Sequence, residues 1–276
     1  MTRARRGVAV LAVLVAGAAV GGGAGLAHAD KPARRQLRVC ADPNNLPFSN
    51  AKKEGLENAV ARLVARALDA ELTYTWLPQR RGFVRNTLAA GRCDVMMEAP
   101  AGYGRATTTR PYYRSTYVMV YRKDRKLAPR SLDDPALRTL RIGLQTIGDD
   151  YANTPPAAAL GRRGLSRNVV GYPVYGDYST ATPQAPILDA VVAGTIDVAI
   201  VWGPLGGWFA EHARVPLTVV PLASGAADPP FAFAIGMGVR RGDEPLRREL
   251  DGVIASHRGE LEALLRRYAV PEVASR

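Results

Sequence analysis

Apolar and polar positions along the chain change period repeatedly, and each change marks an element. Residues 37–41 form a short apolar stretch ended by Asp42-Pro43-Asn44-Asn45, a cluster of turn formers, and predict a strand. Leu56, Val60, Leu63, Val64, Ala67 and Leu68 recur at intervals of three and four, the period of a helix with one buried face. Residues 72–76 alternate as a strand, and Phe83, Val84, Thr87 and Leu88 predict a second helix stopped by Gly91. Residues 93–97 are a continuous apolar run of the kind buried on both faces of a parallel sheet. Strand, helix, strand, helix, strand at this spacing is a doubly wound α/β unit.

After a longer β-rich stretch at 117–122 the pattern starts again. Strands are expected at 140–144, 169–174 and 196–202, a helix opened by Thr154-Pro155-Pro156, and another over 187–193 before Gly194. Residues 215–222 and 231–239 add two further strand candidates, and two amphipathic helices end the chain. This predicts two α/β lobes: 36–118 with 232–276, and 119–231. Ligands of such sheets bind beyond the carboxyl ends of the strands. That rule nominates 42–50, 76–81, 98–104, 145–154, 175–178 and 202–207.

The N-terminus stands outside this pattern. Arg3, Arg5 and Arg6 precede an uncharged stretch over 7–26, followed by Ala27-His28-Ala29, small residues at the two positions a signal peptidase reads. Residues 1–29 are expected to be a cleaved secretory signal, which places the chain in the periplasm. A membrane anchor is the competing reading, and the glycines at 21–23 and 25 speak against a spanning helix. Cleavage lowers the formal charge from +12 to +9 over 247 of the 276 residues. The arginine pairs at 80/81, 162/163, 240/241, 247/248 and 266/267 are scattered rather than gathered into a nucleic-acid groove, so nucleic acid is excluded as a partner and an acidic protein surface is expected instead. In an oxidising compartment Cys40 and Cys93 are expected to form a disulfide across the first lobe, two small buried thiols being the alternative.

Five strings carry a resemblance: CADPNNLPFS (40–49), WLPQRRGF (76–83), PYYRSTY (111–117), GDDYANTPP (148–156) and VWGP (201–204). In this order they resemble the J proteins of methanol-oxidation clusters, the MoxJ, MxaJ and XoxJ type. The resemblance implies a two-lobed type II periplasmic solute-binding-protein fold. It also implies a non-enzymatic accessory role beside a quinoprotein methanol or alcohol dehydrogenase dependent on pyrroloquinoline quinone (PQQ), and its cytochrome c. A receptor of an ABC importer for a small non-amino-acid solute is the alternative. Amino-acid receptors of this fold hold an α-carboxylate with an arginine and an α-ammonium with an acidic residue after the last second-lobe strand. Here Thr107-Thr108-Thr109 replaces the usual Phe-Ser, Arg105 matches only by a shift, and Trp202-Gly203-Pro204 supplies no carboxylate. A desolvated ammonium without an anion would cost several kcal/mol, which argues against amino acids.

The expected cleft set is aromatic and amide. Phe48, Trp76, Tyr112, Tyr113, Tyr175 and Trp202 are expected to stack, and Asn44, Asn45, Gln79, Gln145 and Asn153 to hydrogen-bond. Arg80, Arg81 and the Thr154 helix start are expected to meet anionic groups. This mixture suits a transient contact with PQQ, with no cofactor held stably. Glu98 is unusual, because the family has a small residue there. Aromatics at lobe edges also serve as packing, Tyr112 and Tyr113 above all. Asp149 and Asp150 read as a turn and capping device, and no metal site is expected. With only His212 and His257 left after cleavage, no catalytic base is placed beside a nucleophile, so no catalysis is expected.

Overall fold

The computed structural model describes residues 35–147 and 153–274. The signal segment and Asp149-Asp150 lie outside them. β1 (Gln36–Ala41), α1 (Leu56–Ala67), β4 (Glu71–Trp76), the single turn α2 (Phe83–Asn86) and β5 (Val95–Pro100) build the first half. A small hairpin of β2 (Asn44–Asn45) and β3 (Ser49–Asn50) follows β1, with a cis bond at Leu46-Pro47 in its turn. β1 lies between β4 and β5, parallel to both. Its Leu37 and Val39 pack with Val60, Val64 and Met97 into one core, which α6 (Glu244–Ser256) and α7 (Arg258–Arg267) cover through Leu250 and Leu265. Each such fully buried aliphatic side chain contributes roughly 1.5–3 kcal/mol.

β6 (Thr107–Thr108) is a short edge, and β7 (Tyr113–Arg122) is the crossover. The second half follows as β8 (Ile142–Thr146), α3 (Pro155–Arg162), β9 (Val169–Pro173), α4 (Pro186–Ala193), β10 (Val198–Trp202), α5 (Gly203–Glu211) and β11 (Leu217–Pro221). Then β12 (Ala232–Val239) returns to the first half. The sheet order is β4-β1-β5-β12-β7-β10-β8-β9, with β11 on β7 and β6 on β12. Residues 113–116 of β7 pair with β12, whereas 117–122 pair with β10 and β11, so the two halves meet along one strand. β10 explains its own apolar run: Val198 and Ile200 enter one core, Ala199 and Val201 the core on the opposite face.

Four expectations need correction. The strand expected at 93–97 begins at Val95, because Asp94 turns its carboxylate back to the Arg38 guanidinium at 2.6 Å. Cys93 therefore stands just before β5, yet its Cα lies 5.4 Å from that of Cys40 and the two form a disulfide. The second helix is one turn only. Thr154 stands at the N-cap of α3, but its hydroxyl takes no helix N–H and donates instead to the Gln145 carbonyl at 3.0 Å. Residues 203–207, expected as a loop, open α5, with Pro204 in its first turn where no N–H is needed. The glycines that read as loop formers allow close packing instead: a Cβ on Gly203 would meet the Thr116 carbonyl at 2.5 Å, and one on Gly207 the Ala269 carbonyl at 1.9 Å.

Candidate functional site

The loops after β1 and β4 face the segment after β9, and a buried carboxylate joins them. Asp42 accepts from the backbone N–H of Asn44 at 2.8 Å and of Gln79 at 2.6 Å, and from the hydroxyl of Tyr178 in the other half. The Arg80 guanidinium lies 4.4 Å from the centre of the same Tyr178 ring and 5.9 Å from that of Tyr175. The Asn44 side chain donates to the Thr180 carbonyl at 2.8 Å.

Behind this contact runs a polarised chain of amides. Asn45 donates to Gln79 at 3.3 Å and accepts from Gln184 at 2.9 Å; Gln184 accepts from Gln145 at 3.0 Å; Gln145 accepts from the Trp202 N–H at 3.4 Å. Asn45, Gln184 and Gln145 each donate through nitrogen and accept through oxygen, so the chain runs across the cleft from the Trp202 N–H to the Gln79 oxygen. Three amides expected to meet a ligand therefore hydrogen-bond within the protein.

Two pockets open beside this chain and share Gln79, Glu98 and Pro100. One, of about 450 Å³, is lined by Arg80, Arg81, Arg105, Tyr103 and Tyr175. The other, of about 320 Å³, is lined by Tyr117, Trp202, Phe233 and Ile235. Glu98 leaves β5 toward both and accepts from the Tyr113 hydroxyl at 2.8 Å. Burial raises its carboxyl to about 7, against which the Tyr113 bond works. Glu57, wholly buried at the start of α1, is pushed well above the carboxylate range by burial, and then by Glu98 and Asp42.

The expected residues divide cleanly. Asn44, Asn45, Gln79, Arg80, Arg81, Glu98, Gln145, Tyr175 and Trp202 lie along the cleft. Trp76 does not reach these pockets: it stacks on Tyr74 at 4.6 Å, because both share one face of β4 against the core. Tyr113 is buried behind Glu98, and Tyr112 donates to the Met97 carbonyl at 3.0 Å, so both tyrosines support the cleft from within. Phe48 is half-buried in the β2–β3 turn, Asn153 is exposed, and Thr154 is buried against β8 at Gln145. Tyr117, Phe233, Tyr178 and Gln184 were not in the expected set. His212 lies over Trp208 on α5 and His257 joins α6 to α7; neither lines the two pockets. The arginine pairs are partly spent on internal partners: Arg162 and Arg163 hold Asp228, Arg240 meets Asp94, and Arg247 meets Glu244.

Residues 37–271 match the model of the bacterial extracellular solute-binding proteins, family 3. The chain belongs to that family. Within it, the chain is of the MoxJ, MxaJ and XoxJ type. It is 30% identical over 259 residues to Protein MoxJ of Methylorubrum extorquens, covering 89% of this chain and 84% of that one. The crystal structure of the periplasmic binding protein XoxJ from Methylobacterium extorquens AM1 matches with a TM-score of 0.73 and 39% identity, over 87% of this chain and 100% of that one. MxaJ from Methlophaga aminisulfidivorans MPT matches with a TM-score of 0.75 and 25% identity, over 86% and 100%. An ancestral cationic amino acid solute-binding protein, at 17% identity and a TM-score of 0.65, shows the fold alone.

Proposed function

We propose that this chain is a periplasmic accessory protein, exported by its N-terminal signal, that works beside a PQQ-dependent methanol or alcohol dehydrogenase. It acts by protein contact or by delivering a small ligand during maturation or oxidation of that enzyme. The observation that carries this reading is the likeness to XoxJ over the whole of that chain at 39% identity. The cleft supports it, because the amides that would greet a polar solute are engaged with one another. A transient contact with PQQ belongs to the same proposal: Arg80, Arg81 and Arg105 line one pocket and are the chain's means of meeting a planar polyanion with charge-assisted bonds.

Affinity pulldown with the mature protein, read by mass spectrometry, tests the proposal. Recovery of the dehydrogenase and its cytochrome c is the expected result, with capture that weakens as salt rises, since Arg241, Arg248, Arg266 and Arg267 remain exposed. Recovery of an ABC permease without the dehydrogenase would overturn it in favour of an importer receptor. Calorimetric titration with PQQ tests the cofactor contact separately; absence of heat and of any shift in Tm removes that part.

A further inference from the structure

The smaller pocket is a box. Trp202 forms its middle wall, with the Tyr117 ring 5.5 Å away at 68° and the Phe233 ring 5.9 Å away at 62°. Ala99, Pro100 and Ile235 complete the apolar surface, and Gln79 adds an amide. Of the lining residues Glu98 alone carries a charge. All three rings are half-buried, so each keeps surface turned to the space between them.

Three ring walls and one carboxylate select a ligand class. An anion would face Glu98 directly. A neutral apolar ligand would seal a carboxylate against hydrocarbon, stripping its water without replacing it. A bare hard cation would need several oxygen ligands where the box offers one carboxylate and one amide. An alkylated ammonium meets every wall, its methyl groups lying on the rings, whose faces attract positive charge, and its charge balancing Glu98. We propose that Glu98, Tyr117, Trp202 and Phe233 bind a small organic cation of the alkylammonium class. The carboxylate comes from the first-half strand β5, not from the position after Val201 where the sequence lacked one. Arginines line the adjoining pocket, but none of them lines the box, and Arg80 is engaged over Tyr178. The inference deepens the small-ligand half of the proposed function and rests on it only for biological context.

Choline and its uncharged isostere 3,3-dimethylbutan-1-ol are the probes, titrated calorimetrically into the mature protein. Choline is expected to bind and the alcohol to bind at least ten-fold more weakly; equal binding, or no choline binding at pH 8, overturns the site. Glu98→Gln, checked for an unchanged fold by its thermal melt, is expected to weaken choline at least ten-fold. An unweakened variant likewise overturns it. The wild-type protein supplies a readout needing no variant: choline affinity should rise several-fold from pH 5.5 to pH 8 as Glu98 ionises. The groups facing Glu98 are Glu57 on α1, Tyr112 and Tyr113 around β7, and Arg80, Arg81, Arg105, Tyr103 and Tyr175 across the adjoining pocket. Burial shifts Glu57 in the same direction as Glu98, so its ionisation acts in the same sense, and a flat profile counts against the site. Dehydrogenase capture by Glu98→Gln separates the two readings: choline binding without capture by either protein removes the partner role and leaves the box standing.

Discussion

Replacing Glu98 by glutamine should change how stability depends on pH, and the size of the change follows from its surroundings. The carboxyl sits at about 7 in the folded chain against 4.5 for an ordinary glutamate, chiefly because burial disfavours its charge. Between those values the folded chain binds a proton that the unfolded chain has released, so stability falls as pH rises. The favourable contribution is complete below about 4.5 and is gone above about 7. At about 1.4 kcal/mol per pH unit the full difference is roughly 3 kcal/mol, and the open side toward the cleft reduces it to about 2. Glutamine keeps the shape and the Tyr113 contact without the charge. Urea unfolding at half-unit steps from pH 4.5 to 8 should show the wild-type midpoint falling, and Glu98→Gln losing most of that slope. A residual slope belongs to Glu57, which burial shifts in the same direction. Asp94 and Asp228 are held below the usual carboxylate range by arginines, so their titration lies beneath the window. A wild-type midpoint that stays flat or rises over this range, or a variant with the wild-type slope, would refute the reasoning.

Reducing the Cys40–Cys93 disulfide, which joins residues 53 apart in sequence, should lower unfolding free energy by up to roughly 4 kcal/mol, read as a dithiothreitol-dependent shift in urea midpoint. Gly207→Ala drives a methyl into the Ala269 carbonyl and should cost about 1–3 kcal/mol in the same assay, whereas Gly259→Ala, with open space around it, should be near neutral. Arg163→Ala strands the nearly buried Asp228 with Arg162 as its remaining guanidinium, and should cost about 2 kcal/mol at pH 7. Because arginine depresses the Asp228 carboxyl, that contribution is present above pH 4 and fades as pH falls further, so wild type and variant should converge in acid. Tyr178→Phe removes one of three donors to Asp42 and should speed hydrogen exchange across residues 175–184 without altering exchange in β1.

The elements legible in sequence were those whose pattern is local. β10 declared itself by an apolar run that is buried on both faces, and α1 by a stripe that meets one core. The disulfide was the favoured of two readings because the doubly wound order sets the first strand beside the third, and β1 does stand beside β5. α5 was illegible because Gly203, Gly206 and Gly207 look like a loop until the Thr116 and Ala269 carbonyls that press on two of them are in place. The site split in the same way. Trp202 was readable at a strand end, but its partners were hidden: Tyr117 lies opposite it only through the antiparallel register of β7 and β10, and Phe233 arrives from β12. Trp76 failed for a similar reason, since its face is fixed by which side of β4 the core occupies.

What holds the cleft bears on how the protein works. At the mouth, three side-chain hydrogen bonds cross between the halves: Tyr178 to Asp42, Asn44 to Thr180 and Gln184 to Asn45. At the far end the tail after α7 lies against the crossover strand, with Ser115 donating to the Pro271 carbonyl at 2.6 Å and Val273 to that of Arg114 at 3.0 Å. Tyr268 stacks there on Trp208 of α5 at 5.1 Å. At about 1 kcal/mol net for each mouth bond, the chain's own residues favour this arrangement by about 3 kcal/mol before ordering costs. A receptor whose ligand drives closure needs the ligand to supply that difference. Where the protein supplies it, a ligand in the box adds little to the equilibrium, and the surface seen by a partner is present with or without it. The same bonds therefore weaken the case for closure driven by a ligand.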